Sequence, residues 1–182
     1  MSEQASAMSD ARAIEINGRR LDAGDLQIVH RLEAQLGPIP DGRYWYDPIS
    51  GGAGLWGGPA AAYLGAGLRL GGPLPATASG GGDGRLTGTF VNGRELHPLD
   101  VQGLSQYGPV ARGRFWWDAH GNVGYEGFPM PLFNFYAVAA QRQGSNSTSR
   151  RSRNGQTWVG GGAAVVHGKL GDVEYSYYSG FD

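Results

Sequence analysis

Apolar positions change period along this chain. Over Ala13-Ile14-Glu15-Ile16 they alternate, stop at Asn17-Gly18, and resume through Arg19-Arg20-Leu21. Alternation around an Asn-Gly pair predicts a two-residue β-hairpin. The period then lengthens, with Leu26, Val29, Leu32 and Leu36 at helical spacing. Asp22 sits where a helix N-cap is needed, and Asp25 falls at the third helical position, near the positive end of the helix dipole. Gly37-Pro38 stops the helix. An aromatic strand follows over 42–47, then a turn over 48–52 and a glycine-rich return strand to Gly58.

The same series then repeats. Ile16-Asn17-Gly18-Arg19-Arg20-Leu21 returns as Val91-Asn92-Gly93-Arg94-Glu95-Leu96, 75 residues later. Gly42-Arg43-Tyr44-Trp45-Tyr46-Asp47 returns as Gly113-Arg114-Phe115-Trp116-Trp117-Asp118, 71 residues later. Gly51, Gly54, Gly57 and Pro59 return as Gly121, Gly124, Gly127 and Pro129 at a spacing of 70. A repeat of this length is one small folding unit used twice. In the second copy a strand over 86–90 precedes the Asn92-Gly93 turn, Pro98 suits the first helical position, and Val101, Leu104 and Tyr107 form the apolar stripe. The spacing falls from 75 to 71 across this segment. Four residues is about one α-helical turn of 3.6. Loss of one turn keeps the apolar face in phase, which argues independently for a helix in both copies.

These patterns divide the chain into a flexible tail (1–12), repeat 1 (13–59), a Gly/Pro-rich connector (60–85), repeat 2 (86–140), a polar Ser/Arg loop (141–156) and a C-terminal β-hairpin (157–182). Within the connector, Leu68, Leu70 and Leu74 suggest a short irregular strand, and 79–84 reads as a mobile loop. Residues 132–140 read as a short buried helix or strand. One arm of the C-terminal hairpin carries Trp158, Val165 and Val166, with a turn at Gly171-Asp172. The expected fold is α+β and β-dominated. It has two tandem β-hairpin–helix–β-hairpin repeats with pseudo-twofold symmetry, and the C-terminal hairpin completes the sheet. The helices pack on a shared sheet around Leu26, Val29, Leu32, Trp45, Val101, Leu104 and Trp116.

Composition narrows the function classes. Glycine is 33 of 182 residues, well above a usual share of about 7%. Five Trp, nine Tyr and six Phe supply apolar area that disordered chains lack. A net charge of −1 gives no electrostatic case for nucleic acid. The absence of cysteine excludes disulfides and thiolate chemistry. No secretory signal or apolar run long enough to span a membrane is visible, so the expected location is cytoplasmic, or outside by a signal-independent route. Arg150, Arg151 and Arg153 lie in a Ser/Asn-rich run that reads as a solvated loop.

Few residues suggest chemistry. Serine-nucleophile, Walker A and zinc-protease patterns are missing. Asp118, His120 and Glu126 form the one acid/base-like cluster, and it is incomplete in repeat 1, where only Asp47 matches. His97 matches the capping Asp22 and reads as a helix cap. The recurring pairs Arg19/Arg94 and Arg43/Arg114 read as partners of Asp25/Asp100 and Asp47/Asp118, or, for Arg43 and Arg114, as ligand clamps.

The aromatic hairpins are the main binding candidates. Strand alternation puts Trp45 and Trp116 on the core face and leaves Tyr44, Tyr46, Trp56 and Phe115, Trp117, Tyr125 on a half-exposed shelf. The segment 113–125, with a looser form at 44–56, resembles the hairpins of choline-binding and glucan-binding cell-wall repeats, which implies a glycan-binding role. The leading reading is a non-enzymatic binding or self-assembling protein. Its partner is itself, as an oligomer or fibre, or a neutral glycan or protein surface, with no cofactor, metal, nucleic acid or membrane insertion. The alternatives are a small hydrolase or lyase using Asp118, His120 and Glu126, and an intracellular inhibitor-like protein that binds one partner.

Overall fold

The computed structural model describes residues 12–144 and three further strands at 157–160, 163–170 and 173–179. The expected tail, up to residue 11, and the Ser/Arg loop from 145 to 156 lie outside the described residues. Repeat 1 runs β1 (Ile14–Ile16), β2 (Arg19–Arg20), α1 (Ala23–Leu36), β3 (Gly42–Tyr46), β4 (Gly52–Leu55) and β5 (Ala62–Tyr63). Repeat 2 runs β6 (Thr89–Val91), β7 (Arg94–Glu95), α2 (Pro98–Ser105), β8 (Gly113–Trp117), β9 (Asn122–Tyr125), β10 (Phe133–Asn134) and α3 (Phe135–Gly144). Three strands close the chain: β11 (Thr157–Gly160), β12 (Ala163–Leu170) and β13 (Val173–Ser179). The fold is α+β with strands predominating.

The two copies have one topology. Repeat 1 orders its strands β5-β4-β3-β1-β2, and repeat 2 orders its own β10-β9-β8-β6-β7. In each copy the helix is a crossover that lays the third strand parallel to the first, with Ile16 opposite Tyr44 and Val91 opposite Phe115. The expectation of one shared sheet is therefore corrected. The parallel crossover completes each sheet within its own repeat, so each copy carries its own sheet and helix.

A turn asparagine ties each unit together. Asn17 and Asn92 hold φ of 54° and 51°, the left-handed geometry that a two-residue hairpin turn demands. Each side chain then mimics backbone. Asn17 Nδ2 donates to Tyr46 O (2.7 Å) while its Oδ1 accepts from Tyr46 N (2.9 Å). Asn92 repeats this with Trp117 O (2.8 Å) and Trp117 N (2.9 Å). One residue fixes the turn and anchors the strand beyond the helix. Both helices begin with capping boxes, Asp22 with Asp25 and His97 with Asp100, as their positions imply.

The cores are unequal. Ile14, Ile16, Leu21, Leu26, Val29, Leu32, Tyr46 and Leu70 form a buried cluster in repeat 1. Repeat 2 buries only Trp117, Val123 and Phe135 in its own cluster, with Leu104 and Tyr107 partly covered. Helix α2 has no buried residue, so Val101 and Leu104 are half-buried rather than central. The expected strand at Leu68–Leu74 is not formed. β5 lies earlier, and Leu70 instead plugs the repeat 1 core.

The connector is not a free loop. Glu95 is fully buried and draws the glycine-rich segment around its carboxylate. Gly82 N and Gly84 N donate to Oε2 (2.5 and 3.1 Å), and Thr87 N and Gly88 N donate to Oε1 (both 2.9 Å). Binding Thr87 and Gly88 this way also delays the strand, so β6 begins at Thr89 rather than at residue 86. The C-terminal element is likewise corrected. It is a three-stranded meander, with Trp158 on β11 opposite Val165 on β12. Its last strand adds to the edge of the first sheet through Ser176 opposite Tyr63.

Candidate functional site

Alternation along β3 and β8 sends neighbouring side chains to opposite faces. In both repeats the helix-side face takes the third and fifth strand positions, Tyr44 and Tyr46 in β3 and Phe115 and Trp117 in β8. The expected half-exposed shelf is corrected at Tyr46 and Trp117, while Tyr44, Trp56 and Phe115 are half-buried and Tyr125 is exposed. Tyr46 and Trp117 are buried at 1% and 7% exposure, because each lies under the helix of its own repeat. Burial pushes the Tyr46 hydroxyl up to about 12, and it donates to Gly65 O (2.5 Å). Tyr44 is half-buried with its hydroxyl on Pro40 O. Phe115 stacks against Tyr125 at 5.2 Å, leaving Tyr125 47% exposed. Trp56 lies under the Arg43 guanidinium at 4.9 Å.

The other face carries Trp45 and Trp116, and here the repeats diverge. Both indoles donate to a matched carbonyl, Trp45 to Gly58 O (3.2 Å) and Trp116 to Phe128 O (2.7 Å). Trp45 is 1% exposed. Its cover comes from repeat 2, where Arg94 stacks over the ring at 3.9 Å. Arg94 also donates to Asp100 (3.0 Å) and to Ser79 Oγ (2.6 Å), and Asp100 accepts from Ala60 N across the junction (2.8 Å). Asn92 reaches back to Asp47 (2.6 Å). Repeat 2 thus seats the start of α2 on the helix-free face of the first sheet.

The matching face of the second sheet has no such cover among the described residues. Trp116 is half-buried. Beside it Phe128 and Met130 are 68% and 75% exposed, where repeat 1 has Gly58 and Ala60. Leu132, next to the edge strand β10, is 51% exposed as well, whereas Phe133, opposite Val123, belongs to the helix side of the sheet.

Between the repeats lies a cleft of about 420 Å³, within the size range of small-molecule sites. Trp45, Tyr63, Leu99, Gly103, Tyr107 and Trp117 are among its walls. Its charged groups are already engaged. Asp47 accepts from Ile49 N, Ser50 Oγ and Asn92 Nδ2, and Asp100 accepts from Arg94, Ala60 N and His97 N. Among the described residues, Trp117 Nε1 is the one buried side-chain nitrogen or oxygen without a hydrogen-bond partner.

The acid/base trio is not assembled. Asp118 closes the β8–β9 turn by accepting from His120 N (2.9 Å), Asn122 N (2.9 Å) and Asn122 Nδ2 (3.0 Å). Burial opposes its charge, yet the Asn122 and His120 bonds outweigh that and hold its pKa below the ordinary value. Glu126 pairs with Arg114 at the far end of the hairpin, four strand residues or about 13 Å from the tip. Among the described residues no group of acidic or histidine side chains has metal-binding geometry.

The arginine pairings divide in the same way. Arg19 and Arg94 meet Asp25 and Asp100 as expected. Arg43 and Arg114 meet Glu15 and Glu126 rather than Asp47 and Asp118, because the aspartates are consumed by their own turns. Sequence reasoning missed Glu95 altogether. Its one trace was an acidic residue where repeat 1 has the basic Arg20, beside a connector rich in glycine.

No helix among the described residues is long and apolar enough to cross a membrane. No family model and no solved structure matches the chain. Extra-large guanine nucleotide-binding protein 2 of Arabidopsis thaliana is 26% identical over 129 residues, 70% of this chain and 14% of that protein. The chain is similar also to Extra-large guanine nucleotide-binding protein 1 of the same plant, 29% identical over 119 residues. That match takes in 64% of this chain but only 13% of the plant protein, so the chain spans about a seventh of the length of the curated relatives it matches.

Proposed function

We propose that this chain is a non-enzymatic docking module, and that it engages a protein surface through the helix-free face of its second sheet. The observation that carries the reading is the contrast between Trp45, buried by repeat 2, and its half-buried counterpart Trp116, bordered by exposed Phe128 and Met130. Contiguous apolar surface of this kind marks an interaction site more often than chance exposure. Engagement of the polar cleft residues in turns, caps and the junction argues against catalysis there. The similarity to a small part of much longer plant proteins fits a portable binding unit, and whatever those proteins bind is not carried to this chain.

The test is site-specific photocrosslinking in the cell that makes the protein. A photoreactive phenylalanine at position 128 is expected to give protein adducts whose mass-mapped attachment is lost in Met130→Asp. Absence of any protein adduct from position 128, with the same probe at the remote exposed Ile49 as background, would sink the reading.

A second reading is favoured by the cleft itself, walled by Trp45, Leu99, Leu104, Tyr107 and Trp117. It assigns the cleft to a small uncharged molecule with an apolar body. Filling the cleft with Gly103→Phe is expected to abolish ligand-induced thermal shifts in a neutral-metabolite screen. A screen without a hit on the native protein would end it.

A further inference from the structure

The junction inside the chain indicates what fits the open face. Repeat 2 covers the first sheet with one turn of helix and one arginine: Arg94 stacks on Trp45, Asp100 braces that arginine, and Leu99 lies with Pro59 and Ala60 around the cleft. The stacked ring, the arginine, its bracing aspartate and the neighbouring helix position each have a counterpart on the outer faces of the two repeats. Trp116 and the segment 128–130 repeat the receiving face. Arg19, Asp25 and Gly24, placed by the Asp22 cap as Arg94, Asp100 and Leu99 are placed by His97, repeat the inserting one. Arg19 is already held by Asp25 at 2.6 Å and is 44% exposed, so it is pre-set in the geometry that Arg94 uses.

The bulk of the two faces is exchanged in a compensating way. At the internal junction the receiving side is small, with Gly58, Pro59 and Ala60, and the inserting side offers Leu99, which lines the cleft beside them and is 55% exposed. At the ends the receiving side is large, with Phe128 and Met130, and the inserting side offers Gly24. A Cβ at Gly24 would meet only the Asp22 side chain, at 3.2 Å, so this corner of α1 has room for a large side chain. The sizes are therefore complementary at both places, with the roles reversed.

We infer that the occupant of the open face is a second copy of this chain. Its α1 N-terminus seats on Trp116, Phe128 and Met130, with Arg19 over the Trp116 ring as Arg94 lies over Trp45. The inference rests on the docking reading above and names its partner. The contact joins two different patches, so it is heterologous. Such contacts close into rings or run on as open filaments. Cation–π stacking of a guanidinium on indole supplies orientation, and the apolar contact of Phe128 and Met130 supplies the main attraction.

The test uses the full chain in sedimentation velocity over a concentration series. The wild type is expected to rise above the 19.3 kDa monomer through a ladder of species as concentration increases. Met130→Asp removes the receiving face at a residue that is 75% exposed, so the fold is spared. Gly24→Glu blocks the inserting face and adds an acidic residue in the first helical turn, where it is tolerated. Each variant alone is expected to stay monomeric. An equimolar mixture is expected to stop at a dimer, because one intact face remains on each partner. A ladder in the wild type with no dimer in the mixture would show a different interface and overturn the inference. A wild type that stays monomeric throughout would also overturn it, while crosslinks from position 128 to another protein would then leave the docking reading standing.

Discussion

Replacement of Glu95 by glutamine tests the central claim about the connector. The native carboxylate accepts four backbone N–H groups and is fully buried. Burial alone would raise its pKa, but the bonds from Gly82, Gly88, Thr87 and Gly84 overcome this and bring it from 4.5 to about 2. At about 1.4 kcal/mol for each pH unit, that drop is worth on the order of 3 kcal/mol. A second route gives a similar figure. Glutamine keeps one acceptor oxygen and turns an NH₂ toward two N–H donors. Two buried donors left unpaired cost about 1–3 kcal/mol each. The folded-state pKa lies below the unfolded one, so this stabilisation is fully present above about 4.5 and is lost as the pH falls through about 2. Urea unfolding followed by tryptophan fluorescence should show Glu95→Gln about 3 kcal/mol less stable at pH 7, within a factor of two. The gap between the two proteins should narrow as the pH drops from 4.5 toward 2. Equal midpoints at neutral pH, or a gap that does not change with acid, would refute the anion-centred account of this loop.

Other substitutions probe other links in the argument. Asn17→Ala removes two buried hydrogen bonds, with Tyr46 O and Tyr46 N, and a partly buried one to Gly72 O, and should cost about 2–4 kcal/mol in the same assay; a cost below 1 kcal/mol would contradict its anchoring role. Gly54→Ala would place a Cβ 2.2 Å from Pro59 O and 2.9 Å from the Trp45 ring, and overpacking of this kind costs about 1–3 kcal/mol. Gly103→Ala meets nothing within 4 Å and, inside a helix, should stabilise by up to about 1 kcal/mol; calorimetry ranking the two variants in the opposite order would reject the packing described at the junction. Glu126→Gln breaks only a half-exposed pair with Arg114 and should change stability by less than about 1 kcal/mol, which denaturant titration reads directly.

The repeat was legible because its markers are local. An Asn-Gly turn, a capping aspartate and an apolar stripe each follow from residues within a few positions of one another, and both copies carry them. The parallel crossover was not legible, since the hairpin and the aromatic strand give no sign of which strand they pair with. The orientation of the aromatic strand was misread for a related reason. Alternation separates Trp45 from Tyr44 and Tyr46, but which set meets the helix depends on that parallel pairing. The capping role of His97 was readable from its match to Asp22. The burial of Glu95 was not, because its partners are backbone groups of a connector that carries no side-chain signature. The acid/base cluster failed on distance, as nearness in sequence across a hairpin places Glu126 at the opposite end from Asp118.

The unequal cores have a consequence for the order in which the halves form. Repeat 1 buries eight apolar side chains in its own cluster, and repeat 2 buries three. Its helix covers its sheet only partly, and much of its fixed structure comes from Asn92, Arg94 and Asp100 meeting groups of the first half and the connector. The larger cluster of the N-terminal half predicts that it consolidates first, with Trp45 left open until repeat 2 docks on it. Domains generally form in this order during synthesis. Amide exchange in the complete protein should then show the second half opening as a unit while the first stays protected. On that outcome, two copies of one plan would carry different duties in assembly.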